Sequence, residues 1–109
     1  MTVQNNKHSN MVRMLNLQPR LIGLDGIALS TGESILFKKD RLVREPDCLM
    51  FDPFTHTLYN IEYKCTHSSN NKNHAKHQLN SCSSYLHKIF PKWDIINLYI
   101  SQNYRVEMI

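Results

Sequence analysis

Hydrophobic and polar positions alternate most regularly between residues 58 and 66. Tyr59, Ile61 and Tyr63 fall on one side; Asn60, Glu62, Lys64 and Thr66 fall on the other. A period of two predicts a β-strand, with Glu62 and Lys64 as neighbours on one face. Downstream the period changes. Ala75, Leu79, Cys82, Leu86 and Ile89 recur at spacings of four and three, which predicts a helix from about His74 to Phe90 with one apolar stripe. Pro91 ends that helix. Residues 94–100 alternate again, with Ile96, Leu98 and Ile100 on one face, and Tyr104 to Ile109 reads as a last strand after a turn at Gln102-Asn103.

The first half of the chain is less regular. Met11, Met14 and Leu15 suggest a short amphipathic helix over Asn10–Leu17, stopped by Pro19, whose ring disfavours helical geometry in the residue before it. Residues 1–9 are polar and are expected to fray. Leu21 to Leu24 begins an irregular or extended segment. Ile27-Ala28-Leu29 and Ile35-Leu36-Phe37 flank a glycine-containing turn and read as a hairpin. Cys48-Leu49-Met50-Phe51, between Pro46 and Asp52-Pro53, reads as a short buried strand. The sum is a mixed α/β arrangement. The helix between the strands at 58–66 and 94–100 is long enough to be a crossover, so those strands are expected to be parallel.

Length and composition narrow the class. A chain of 109 residues is expected to form one domain, 1–109, with one modest core. The net charge of +4 is mild and agrees with a polyanionic partner without requiring one. Three Cys, an odd number, together with a polar start lacking an apolar signal segment, argue against a disulfide framework. No apolar run approaches the ~20 residues that cross a bilayer. A soluble intracellular protein is expected, cytoplasmic or in a host cell if virus-encoded, with no membrane partner.

Candidate chemistry concentrates in Pro46-Asp47 and Glu62-Tyr63-Lys64. Two carboxylates on adjacent strands suit a hard divalent cation, which prefers oxygen ligands and keeps several waters. Lys64, about 6–7 Å along the strand from Glu62, is placed to meet a water or a phosphate. Taken singly, an acid after proline reads as a turn residue, and a Glu-any-Lys pair reads as solvated charge. Asp52 is a competing acid, expected at the far end of its strand. Cys65, His67, His74, His77 and Cys82 offer zinc-type ligands but lack the close Cys pairs of common zinc modules. The three glycines, at 23, 26 and 32, form no phosphate loop, and no nucleophile elbow is present.

Pro46-Asp47 at the entry to one strand, Glu62-Tyr63-Lys64 late in the next, and Ala75-Lys76-His77-Gln78-Leu79 in the following helix resemble the PD-(D/E)XK nuclease superfamily over roughly residues 45–90. The resemblance is to its small resolvase-like or phage and viral-type members. It implies a single restriction-endonuclease-like domain with a central mixed sheet flanked by helices, in an α-β-β-β-α-β core. It also implies metal-dependent hydrolysis of phosphodiester bonds in DNA, by an endonuclease or structure-specific nuclease. Asp47, Glu62 and the backbone carbonyl of Tyr63 would hold Mg²⁺ or Mn²⁺. Lys64 would orient the water, Gln78 would position these groups or the substrate phosphate, and Lys72, Lys76 and His77 would contact the nucleic-acid backbone. DNA is expected ahead of RNA, and pairing into a homodimer would enlarge a small footprint. Two features depart from the pattern. Residues 1–24 contain no Asp or Glu, so an acid on the first helix is missing unless Asp25 or Glu33 serves; and Cys82 stands where some relatives have tyrosine, the nearest here being Tyr85. The alternative is a catalytically inactive nucleic-acid-binding or assembly module of the same fold.

Overall fold

The strand with the clearest alternation is the centre of the sheet. The computed structural model describes residues 3–31, 46–65, 68–102 and 104–109. Its five strands lie in sequence order: β1 (Leu29–Thr31), β2 (Cys48–Asp52), β3 (Thr57–Lys64), β4 (Asp94–Ser101) and β5 (Arg105–Met108). β3 and β4 run parallel, from Thr57 opposite Asp94 to Lys64 opposite Ser101, and the other pairs are antiparallel. The parallel pair is joined by helix α2 (Ser69–Ile89), the expected crossover. Helix α1 (Val3–Leu17) precedes the sheet. The described elements therefore form an α/β fold in the order α-β-β-β-α-β, with β5 added at the edge.

Each face of the sheet has its own helix, and the period-two alternation decides which side chains meet which. Ile61, Tyr63, Cys48, Met50, Leu98 and Ile100 form one core with Val12 and Leu15 of α1. Leu49 and Leu58 meet Cys82 and Leu86 of α2, while Ala75 and Leu79 meet Tyr99. Because α2 covers the second face, the polar side of β3 is not a solvated surface. Asn60 is fully buried and Glu62 is 6% exposed.

Several boundaries differ from the sequence reading. α1 begins at Val3 rather than Asn10, so residues 3–9, expected to fray, are helical. The added turns carry a tertiary contact of their own, His8 Nε2 to the Tyr63 carbonyl at 3.0 Å, ahead of Val12 and Leu15, which pack on the sheet. α2 begins at Ser69 rather than His74, because the Ser68 hydroxyl accepts from the Asn71 amide at 3.1 Å and caps the first turn. Ile89 ends the apolar stripe half-exposed rather than buried. Pro19–Ile22 form a 3-10 turn, which takes in the start of the segment from Leu21 to Leu24 expected to be irregular or extended. It is closed by Gly23 at φ 80°, a left-handed conformation that suits glycine. β1 pairs with β2, and the expected hairpin partner at 35–37 lies outside the described residues.

The β2–β3 turn is built on Asp52. Its Oδ1 accepts from the amides of Phe54 (2.9 Å) and Thr55 (3.3 Å). A Cβ on Gly26 would fall 2.8 Å from Asp52 Oδ2, so a side chain there would push the Asp52 carboxylate out of its place in the turn. Asp52 is thus a turn residue at the opposite end of β2 from Asp47, as its sequence context suggested.

Candidate functional site

Asp47 sits one residue before β2, immediately after the buried Pro46. One step beyond the Cys48–Ile61 pair, it comes opposite Glu62. Its Oδ2 accepts the Tyr63 amide hydrogen at 2.8 Å, so the carboxylate continues the ladder where the strand ends. Glu62 points to the α2 side, almost wholly buried, with its Oε2 3.4 Å from Lys64 Nζ. The structure therefore brings Asp47, Glu62, Tyr63 and Lys64 together at the C-terminal end of β3.

Burial pushes the Glu62 carboxyl well above the ordinary carboxylate range. The Asp47 charge and a hydrogen bond between the two carboxyls push the same way, and Lys64 offsets only part of the shift. Two acids held this close out of water cannot both ionise easily, so the pair retains a proton or attracts a cation.

The sequence reading missed His8. Its Nε2 lies 3.0 Å from the Tyr63 carbonyl oxygen and 3.4 Å from Asp47 Oδ2. A carbonyl only accepts, so Nε2 carries the proton and donates to it. The ring also packs edge-on against Tyr63, with centroids 5.8 Å apart. The His8 pKa is raised: the hydrogen bond to Asp47 is the largest cause, and burial opposes it. α1 thus supplies a histidine at the place where an acid was expected. Asp25, one candidate for that acid, is instead exposed and paired with Arg20 at 3.6 Å; Glu33 lies outside the described residues. The signal was present in the pattern: His8, Val12 and Leu15 follow helical spacing on one face, but starting the helix at Asn10 hid it.

Gln78 is brought to the same region by α2. It lines a cleft of about 260 Å³ with Lys64, His74 and His77. Gln78 Oε1 is buried and has no hydrogen-bond partner among the described residues. α2 is pinned in position by Asn60, whose Nδ2 donates to the Leu79 carbonyl (3.1 Å) and to Asn97 Oδ1 (3.0 Å). Of the expected backbone-contacting residues, His77 faces the cleft. Lys72 instead approaches Glu107 of β5 at 3.6 Å, and Lys76, one turn further on, lies on the same flank of the helix as Lys72. His74 is the cleft residue that the nucleic-acid expectation left out.

Among the described residues the alternative ligand set does not assemble. Cys82 is buried in the α2 core and its thiol is pushed up to about 12 by burial. His67 lies outside the described residues. Among the described residues no group of three or more His, Cys, Asp and Glu side chains stands ready to hold a metal ion. No helix among them is long and apolar enough to cross a membrane. Comparison with protein-family models, with curated proteins and with solved structures gives no match.

Proposed function

We propose that the chain is a metal-dependent nuclease that hydrolyses phosphodiester bonds in DNA, with its site at the C-terminal end of β3. The observation that carries this reading is the meeting of the Asp47 carboxylate and the Tyr63 carbonyl at one positively polarised nitrogen, with the buried Glu62 carboxyl beside Asp47. His8 Nε2 lies between Asp47 Oδ2 and the Tyr63 carbonyl, beside a buried Glu62 whose affinity for protons is raised. A point that attracts an N–H from two oxygens attracts a cation for the same electrostatic reason.

The donor set fits Mg²⁺ or Mn²⁺. Asp47, Glu62 and the Tyr63 carbonyl would supply the hard oxygens that such an ion takes, and the His8 N–H stands at the position it would occupy. Such an ion, when bound, neutralises charge on the phosphate and makes a bound water more acidic. The remaining work falls to the protein. Asp47 is fixed by the Tyr63 amide, so one carboxylate needs no reorganisation. Lys64, held near Glu62 with its side chain 25% exposed, presents a cation both to solvent and to the buried acid; there it orients a water or steadies charge on the phosphate. Gln78 Oε1, without a partner among the described residues, can accept from a water at the edge of the cleft while its amide Nε2–H donates into it.

The test is cleavage of labelled duplex, single-stranded and branched DNA, and of RNA, with and without Mn²⁺. Glu62→Gln and Lys64→Ala are expected to abolish cleavage while binding persists. The second reading, an inactive binding module of the same fold, draws support from α1, which brings a histidine, His8, rather than an acid to the carboxylates. Binding without metal-dependent cleavage of any of these substrates would select it.

A further inference from the structure

We propose that the cleft between the end of β3 and the first half of α2 is a second anionic subsite. It takes a non-scissile backbone phosphodiester of the DNA strand through His74, His77 and Gln78, and shares Lys64 with the carboxylate pair. This rests on the nuclease reading above and adds to it the path of the strand.

The cleft has the chemistry of an anion site. Among the described residues its lining side chains are Lys64, His74, His77 and Gln78, all of which carry N–H donors and none of which is a carboxylate. At about 260 Å³ it is smaller than the ~300–1,000 Å³ of pockets that enclose a whole small ligand. The size suits one phosphate group of a longer chain. Its charge suits a diester in particular. Lys64 is already engaged by Glu62 at 3.4 Å, so the cleft offers one shared ammonium beside imidazole and amide N–H donors. A singly charged phosphodiester matches that supply better than a doubly charged terminal phosphate. Lys64 is also the common wall between this cleft and the carboxylates, so a phosphate held here belongs to a strand whose neighbouring linkage reaches Glu62.

The helix geometry says which flank the strand follows. The buried stripe of Ala75, Leu79, Cys82 and Leu86 divides α2 lengthwise. Lys72 and Lys76 lie on the flank towards β5, where Lys72 is drawn to Glu107. His74 and Gln78, one turn apart, lie on the other flank with His77 beside them, facing Lys64. The more basic flank is therefore not the one that adjoins the carboxylates. The histidines, which carry less charge than lysines, are the residues in line with the site.

The experiment measures binding directly, so that it does not depend on cleavage. The full chain carrying Glu62→Gln is titrated with a short fluorescein-labelled oligonucleotide, single-stranded and duplex, with His74→Gln and His77→Gln added singly and together. Loss of one neutral hydrogen bond corresponds to roughly a 2–10-fold weaker Kd, so the double variant is expected to bind about 10–50-fold more weakly. Lys88→Gln, at the far end of α2, is the control for loss of general charge. Both histidines are exposed, and a melting curve for each variant checks that the fold is intact. A second arm replaces single linkages with neutral methylphosphonates. One linkage should weaken binding to the parent chain and not to the double-histidine variant. Unchanged Kd in the double variant, or a larger loss from Lys76→Gln than from both histidines together, would overturn the proposal. So would tight competition by inorganic phosphate alone, which would mark a free-anion site. If the parent protein cleaves nothing but binding still depends on the two histidines, the subsite stands and the nuclease reading falls. If the parent cleaves and the double variant keeps its KM, the subsite falls alone.

Discussion

Replacing Glu62 with Gln should make the protein more stable at neutral pH while removing the proposed cleavage activity. Glu62 is buried beside another carboxylate, and its pKa is raised above the unfolded value, first by burial and then by Asp47. Between the two pKa values the folded state holds the proton more firmly than the unfolded chain does. Folding stability therefore falls as pH rises through that interval and keeps the loss above it. Each pH unit between the two values costs about 1.4 kcal/mol, and the carboxyl is pushed from 4.5 to about 8, so the loss accumulated by pH 7 is on the order of 3 kcal/mol. A neutral Gln of the same shape escapes this cost. It forfeits the contact with Lys64, a partly exposed pair contributing at most about 1 kcal/mol. The net gain at pH 8 is at least about 2 kcal/mol, which for a domain of this size corresponds to roughly 10 °C in Tm. Thermal melts followed by circular dichroism at pH 8 and at pH 4.5 provide the assay. At pH 4.5 Glu62 is largely protonated in the folded state and the penalty is mostly gone, so the gap between the two proteins should narrow. A variant that melts at or below wild type at pH 8, or a gap that does not shrink on acidification, would refute the burial argument.

Three further expectations use the same structure. His8→Ala should lower metal-dependent cleavage at least tenfold and flatten part of the pH dependence of stability. The raised pKa of His8 means its contribution is complete below the unfolded value near 6.5 and is lost as pH rises through the folded value, which an NMR titration of the imidazole would follow. Leu86→Ala, at a fully buried position between α2 and β2–β3, should cost about 2–5 kcal/mol in urea unfolding with no change in the pH profile. Asn60→Ala removes the donor to the Leu79 carbonyl and leaves Asn97 Oδ1 without that partner; it should cost about 1–3 kcal/mol and raise hydrogen exchange in the middle of α2.

Much of the scaffold was legible from local pattern. The period of two over 58–66, the four-three spacing of the α2 stripe and the breaks at Pro19 and Pro91 are properties of neighbouring residues, and they led to β3, α2, β4 and the parallel crossover. The facing of Glu62 and Lys64 also followed, because side-chain direction on a strand is fixed by parity. Helix starts did not follow. The Asn-rich segment 69–73 has weak helix propensity and is held by the Ser68 cap, and α1 before Asn10 is held by its docking on the sheet.

The residues of this chain by themselves determined which side chains were available for chemistry: the two acids and the lysine at the end of one strand, and the Gln78 helix that follows. Tertiary structure alone decided what those side chains experience. It laid α2 across the polar face of β3, so that an apparently solvated glutamate became a buried one with a raised pKa. It brought His8 across 39 positions of sequence to Asp47, and across 55 to the Tyr63 carbonyl. It also turned Lys72 towards Glu107 while setting His74 and His77 against Lys64. Burial and long-range approach depend on how distant segments share space, and no local period encodes that.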